Sequence, residues 1–278
     1  MNKEIEIKKF YVDTRFKTKD SVSDSDFNVQ LPRQFNVPEN VVAYIDDIVI
    51  PVCWRTVDSR NSLLYMRHQY TGTTTYKTVY IPYNNYTGDS FAIGIEYALH
   101  IAVNGLPLEF RVAYSYVSNE LAIDLVDNRA NPKPDVMSVT FFSDESLKNG
   151  AYEGSPIRLP QSINGVIRLT SDFVLHDEGG YNCYLDLHTT RNLYLISSAL
   201  ASYDTVSNFG NDTIIKKIPV HAAYNEILFD AAGEGYDYLN VSRRTLRYID
   251  FKLVDSYFNV VDMQNTHWSF SIVFQRQN

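Results

Sequence analysis

Apolar and polar positions alternate with a period of two along much of this chain, the pattern of half-buried strands. Glu4 to Tyr11 alternate in this way, and residues 13–26 are polar with no helical period. Phe27, Val29 and Leu31 share one face, and Pro32 is expected to stop that strand because proline cannot donate to a ladder. VVAYIDDIVIP (41–51), bracketed by Pro38 and Pro51, is too apolar on both faces for a surface strand. It predicts a central buried strand with a break at Asp46-Asp47. TTTYKTVYIP (73–82) predicts another strand.

One stretch follows the other period. Phe91, Ile95, Ala98, Leu99 and Ala102 recur at helical spacing, predicting a helix over 91–104. Asp89 or Ser90 is expected to cap its start, and Asn104-Gly105 to end it. Strands near 109–116 and 120–126 then flank a Ser118-Asn119 turn, and NRANPKPD (128–135) is the most linker-like run in the chain. Beyond it short strands return at 138–142, 165–169, 183–187, 192–197, 214–220, 226–229, 245–254 and 268–275. Gly, Asn and Asp lie between them, the spacing of a β-sandwich or jelly roll. In the last strand Trp268, Phe270, Ile272 and Phe274 point one way. The chain has no internal repeat and no low-complexity tract.

Composition narrows the class. At 278 residues and 45% hydrophobic, the chain is long enough for one large β domain or two smaller ones with a real core. Its 21 Tyr and 15 Phe against 4 Met favour pleated surfaces, and tyrosine also suits protein interfaces. A formal net charge of −8 repels phosphate on average, which argues against nucleic acid as a partner. Two cysteines, Cys53 and Cys183, make no disulfide framework, and both are read as buried free thiols. The N-terminus lacks the apolar run of a signal peptide, and no stretch approaches the ~20 apolar residues of a membrane span. A reducing compartment is expected, with the sequons at Asn85, Asn211 and Asn240 unused.

Local chemistry is sparse. The six histidines show neither i, i+4 nor His-x-His spacing, so no metal site is expected from a local motif. Glu96 and His100, four apart on the helix, read as a surface hydrogen-bonded pair. AAGEGYDY (231–238) lacks the third glycine and the following helix of a phosphate loop, so it reads as a turn, and no Gly-x-Ser-x-Gly elbow occurs. Asp46-Asp47 and Asp144-Glu145 are adjacent pairs, and neighbours on a strand face opposite ways, so neither pair brackets one bond. No catalytic residue, cofactor or metal ligand is assigned, and the chain is read as a non-enzyme. The basic run Ser242-Arg243-Arg244-Thr245-Leu246-Arg247 stands out in an acidic chain. Its guanidiniums could face phosphate, but on a strand Arg243 and Arg247 share a face that Arg244 does not. Arg243, Arg244 and Arg247 are therefore read as a salt-bridge or subunit-interface cluster.

FYVDTRFKTKDSVSDSDFNVQLP, then VPENVVAYIDDIVIPVCW and NSLLYM, resemble the start of the minor capsid (penton) proteins of Polinton/Maverick elements and related virophages. YIPYNNYTGDSFAIGIEYAL resembles that family's strand, turn and helix, although Asn84 stands where the family's turn usually has glycine. NDTIIKKIPV, YLNVSRRTLRYIDFKLVDSYFNVVDM and HWSFSIVFQ resemble its C-terminal strands, and the blocks keep the family's order. The resemblance implies an all-β fold, a single jelly-roll β-sandwich with a small α+β insertion. The jelly roll would comprise 1–60 and 150–278, and the strand-helix-hairpin insertion 61–149. It further implies a homopentamer at the vertices of an icosahedral virion, contacting a double jelly-roll major capsid protein. Such a chain would be made in the host cytoplasm or nucleus, with no small-molecule substrate. A wedge-shaped subunit that meets its own copy head to tail closes into a ring when the rotation divides the circle. Two other classes fit the composition: a spike, fibre or carbohydrate-binding β-sandwich, and a β-sandwich hydrolase whose carboxylates come from distant strands.

Overall fold

The computed structural model describes residues 7–129, 137–176, 179–202, 205–207, 210, 213–231 and 238–277. The start of the first expected strand (4–6), most of the NRANPKPD linker (130–135), the Asn211 sequon and the glycine-containing part of the AAGEGYDY turn (232–237) lie outside them.

In chain order the strands are β1 (Ile7–Asp13), β2 (Asp26–Asn36), β3 (Val41–Pro51), β4 (Leu63–Tyr70), β5 (Thr73–Tyr80), β6 (Leu108–Ser115), β7 (Glu120–Asp127) and β8 (Ser138–Phe141). They continue as β9 (Phe173–His176), β10 (Gly180–Tyr184), β11 (Asn192–Ile196), β12 (Ile214–Pro219), β13 (Ile227–Ala231), β14 (Leu239–Asn240), β15 (Thr245–Val254) and β16 (Ser269–Arg276). Two α-helices, α1 (Gly88–Ala102) and α2 (Asp144–Lys148), interrupt them. The chain divides into two compact units, a split unit of Met1–Trp54 with Thr190–Asn278 and an inserted unit of Arg55–Thr189.

The split unit is a sandwich of two antiparallel sheets, β1-β16-β3-β13, with β14 also on β3, and β12-β11-β15-β2. Leaving the two-residue β14 aside and renumbering this unit's other strands in chain order gives 1-8-3-6 and 5-4-7-2, the strand order of a jelly roll. Alternate residues of both sheets meet in one core that includes Phe27, Ile45, Ile48, Phe251, Trp268, Phe270 and Phe274. Phe270 packs edge-on to Phe251 at 4.8 Å and stacks on Trp268 at 5.1 Å between ring centroids.

β3 lies inside its sheet as the pattern predicts, and the break at Asp46-Asp47 is a β-bulge. Ser271 is opposite Asp47 while Ile272 is opposite Ile45, so Asp46 is the extra residue. The core-facing phase accordingly shifts from Val41, Ala43 and Ile45 to Ile48 and Ile50. β2, in contrast, does not stop at Pro32 but runs on to Asn36. It is an edge strand whose register to β15 slips between Leu246 and Tyr248, and proline is tolerated on edges and at bulges.

The inserted unit runs past the expected 61–149 limits. Residues 150–189 close its core through Ile163, Val166, Ile167, Leu169, Leu175, Tyr181 and Leu185. Its sheets are β5-β4-β8-β9 and β10-β7-β6, and α1 buries Phe91, Ala92, Ile95, Ala98 and Leu99 in the same core. The cap of α1 is Thr87, which forms a reciprocal capping box with Ser90, rather than Asp89 or Ser90. Gly88 opens the helix against β6, where any Cβ would collide with the Tyr114 ring. The helix ends at Ala102, and Gly105 takes φ +86° just beyond. Residues 165–169, expected as a strand, instead follow a 3-10 turn at Ile163–Gly165, with Arg168 at φ +54°. A short apolar run cannot be told from a buried turn by periodicity alone.

Candidate assembly surfaces

The sequence-selected groups fall into separate places. Arg243 and Arg244 precede β15 in a turn rather than lying on the strand, and Arg243 takes φ +62°, which removes the shared strand face. Arg243 reaches Glu39 at 2.8 Å, an ion pair in which both side chains are largely exposed. Arg244 donates to the carbonyls of Ala199 (2.8 Å), Ala201 and Asn240, and Arg247 donates to the Pro32 carbonyl at 2.9 Å. Asp250 of β15 accepts from the amides of Ser198 (2.8 Å) and Ala199 (2.9 Å), so β15 and the turn before it tie down the 198–201 loop from both signs of charge.

Three of the four residues in the acidic pairs have side-chain partners. Asp46 pairs with Lys9 at 2.5 Å and Asp47 accepts from Ser271 Oγ at 2.6 Å. Asp144 and Glu145 open helix α2 instead of lying on a strand; Asp144 accepts from Ser162 and from Asn164 Nδ2 at 2.7 Å. Glu96 and His100 do not pair with each other. Glu96 Oε2 accepts the Val112 amide at 2.7 Å, and His100 Nε2 lies 2.7 Å from the Phe110 carbonyl oxygen. β6 is the edge of its sheet, so these two side chains cover an otherwise open ladder with α1. Helical spacing identified the two residues, but their bonds to the backbone of the following strand left no signal in that spacing.

Cys183 is buried, and burial pushes its thiol up to about 12, which keeps it protonated and unreactive. Cys53 is only half-buried, and its thiol donates to the Met263 carbonyl at 3.1 Å. Burial raises its value as well. Asn84 lies in the extended bridge Val57–Asn84, with backbone bonds of 3.0 and 3.1 Å in both directions, so this turn has no need of a glycine there. Among the described residues no cluster of His, Cys, Asp and Glu has metal-site geometry, and no helix is long and apolar enough to cross a membrane.

Several large apolar side chains also face outward. On α1, Ile93, Tyr97 and Ile101 form an exposed i, i+4, i+8 stripe opposite the buried face. On β13, Ile227 and Phe229 are exposed on the sheet's outer face, opposite Pro51 and Val49 of β3. Tyr11 of β1 is 81% exposed on that sheet. Side chains of this kind, without a polar constellation beside them, suit contact with protein better than chemistry on a small molecule.

The class these features define is an antiparallel jelly roll carrying a second sandwich between its third and fourth strands. A crystal structure of the mavirus penton protein has this fold: it matches at a TM-score of 0.54 over 98% of this chain and 100% of that one, at 8% sequence identity. No family model matches the chain, and no curated protein matches it in sequence.

Proposed function

We propose that this chain is a structural capsid subunit that occupies the vertices of an icosahedral virion as a homopentamer and contacts a double jelly-roll major capsid protein. The observation that carries the proposal is the end-to-end likeness to the mavirus penton protein, which includes the insertion as well as the jelly roll. Jelly rolls recur on capsid proteins, and a vertex needs a subunit that meets its own copy heterologously so that the ring closes. The exposed apolar residues on β13 and α1 give such a subunit surface to bury. Asp46, Asp47 and Asp144 of the two adjacent pairs are bonded to neighbouring side chains, which supports a structural rather than hydrolytic role.

Native mass spectrometry of the purified chain is expected to give a species of five times the 31.9 kDa chain mass, with rings of five visible by electron microscopy. A chain that stays monomeric at high concentration and is absent from assembled particles overturns the proposal.

A further inference from the structure

His68 lies in the middle of β4, with Thr75 of β5 on one side and Val139 of β8 on the other. Leu64 and Met66 on the same face are wholly within the apolar core of the inserted unit, and His68 itself is 4% exposed. Its Nε2 is buried with no hydrogen-bond partner. The next core-facing residue, Tyr70, stacks on it at 6.4 Å and carries the Arg129 guanidinium 4.9 Å from its own ring centroid. Among the described residues the charged groups on this side are cations. β5 presents Lys77 on the face of Thr75 and Val79, Arg129 follows β7, and β8 and β9 present Val139, Phe141, Phe173 and Leu175. The facing sheet contributes Leu108, Phe110, Leu121, Ile123 and Leu125.

We propose that His68 makes the inserted unit acid-sensitive: proton uptake by this buried ring loosens the β5-β4-β8-β9 sheet and leaves the jelly-roll sheets closed. An imidazolium in this place is a desolvated cation beside Arg129, and no carboxylate among the described residues faces it. Burial first, and Arg129 second, hold its protonation below the ordinary value of 6.5. The opened chain therefore binds the proton more readily than the closed one. Stability is full above about pH 6.5 and falls as pH drops through it. In the split unit His267 has a different setting: its Nδ1 lies 3.3 Å from Asp24 Oδ1 and its side chain is half exposed.

Hydrogen exchange of the full chain, corrected for the intrinsic pH effect, tests this at pH 7.5 and 5.5. Amides of β4 and β8 should open up to about tenfold more readily at the lower pH, and those of β15 and β16 should not change. His68→Leu and His68→Gln should remove the difference. Equal protection of β4 at both pH values, or a variant that keeps the full response, overturns the proposal. Should neither variant fold, an NMR titration of the wild-type imidazoles decides. A His68 resonance that titrates only as β4 loses protection supports the device, and one that titrates near 6.5 while β4 stays protected overturns it.

Discussion

The two units use similar sheets but hold them together differently. In the split unit one aromatic core spans both sheets, with Phe27, Phe251, Trp268 and Phe270 linked by ring contacts, and the neighbouring loop is pinned by Arg244, just before β15, and by Asp250 on it. In the inserted unit β4 is buried on both faces. Leu64 and Met66 enter the main core, while Tyr65 joins Phe142, Leu147 and Tyr152 in a second, smaller one under α2. A helix rather than a loop closes one sheet edge there. A sheet covered on one side only must alternate, and a sheet covered on both sides need not.

The largest effects should come from the cores. Phe270→Ala is expected to cost ~3–5 kcal/mol, as for a fully buried phenylalanine, and Phe110→Ala a similar amount. The chain's two tryptophans, Trp54 and Trp268, both belong to the split unit. Phe270→Ala should therefore lower the denaturation midpoint seen by tryptophan fluorescence. Phe110→Ala should leave it in place and shift the circular-dichroism transition. If both variants move the fluorescence midpoint alike, the units melt as one and the contrast between them fails.

Next come the side chains that tie backbone down. Arg244→Ala removes charged donors from the Ala199 and Ala201 carbonyls and should cost about 2 kcal/mol. Glu96→Ala strips the Val112 amide of its acceptor and should cost about 1–2 kcal/mol, with faster amide exchange at Val112 in particular. Thr87→Ala should cost ~1 kcal/mol through loss of the α1 cap, and Thr87→Ser should restore most of it. Equal losses for Thr87→Ala and Thr87→Ser would mean that the cap contributes nothing and that packing alone holds α1.

The same difference in layering decided what could be read from sequence. β3 falls at its expected limits because its apolar run is bracketed by Pro38 and Pro51, β15 because its buried residues recur along the strand, and even the Asp46 bulge left a visible break in the phase. β4 was invisible as a strand because Leu64, Tyr65 and Met66 are all buried, which erases the period of two. α2 is too short for a helical period to register, and its carboxylates looked like a strand pair. The residues after Ile163 are apolar because they pack into a core, and their turn is set by Arg168 in the left-handed region, where no glycine stands to announce it. Among the site residues, the arginine run was legible as a cluster. Its division among Glu39, the 199–201 loop and Pro32 was not, because all three partners are remote in sequence.

Arg243 carries the smallest expected effect and the most specific test. Its ion pair with Glu39 is solvent-exposed on both sides, so Arg243→Gly forfeits at most about 0.5 kcal/mol. Glycine also relieves the cost of holding a residue with a Cβ at φ +62°, so the net change in the midpoint should be close to zero. Arg243→Glu adds a like charge beside Glu39 and should likewise stay within about 0.5 kcal/mol. Neither variant should alter the folded monomer, which separates a role within the chain from a role between chains. If Arg243 lies in the contact between neighbours of the proposed ring, Arg243→Glu should shift native mass from the pentamer to the monomer while both melting transitions stay in place. A pentamer that survives this change assigns the Arg243–Glu39 pair to the subunit's own surface, and makes the exposed apolar residues of β13 and α1 the next positions to test for the ring contact.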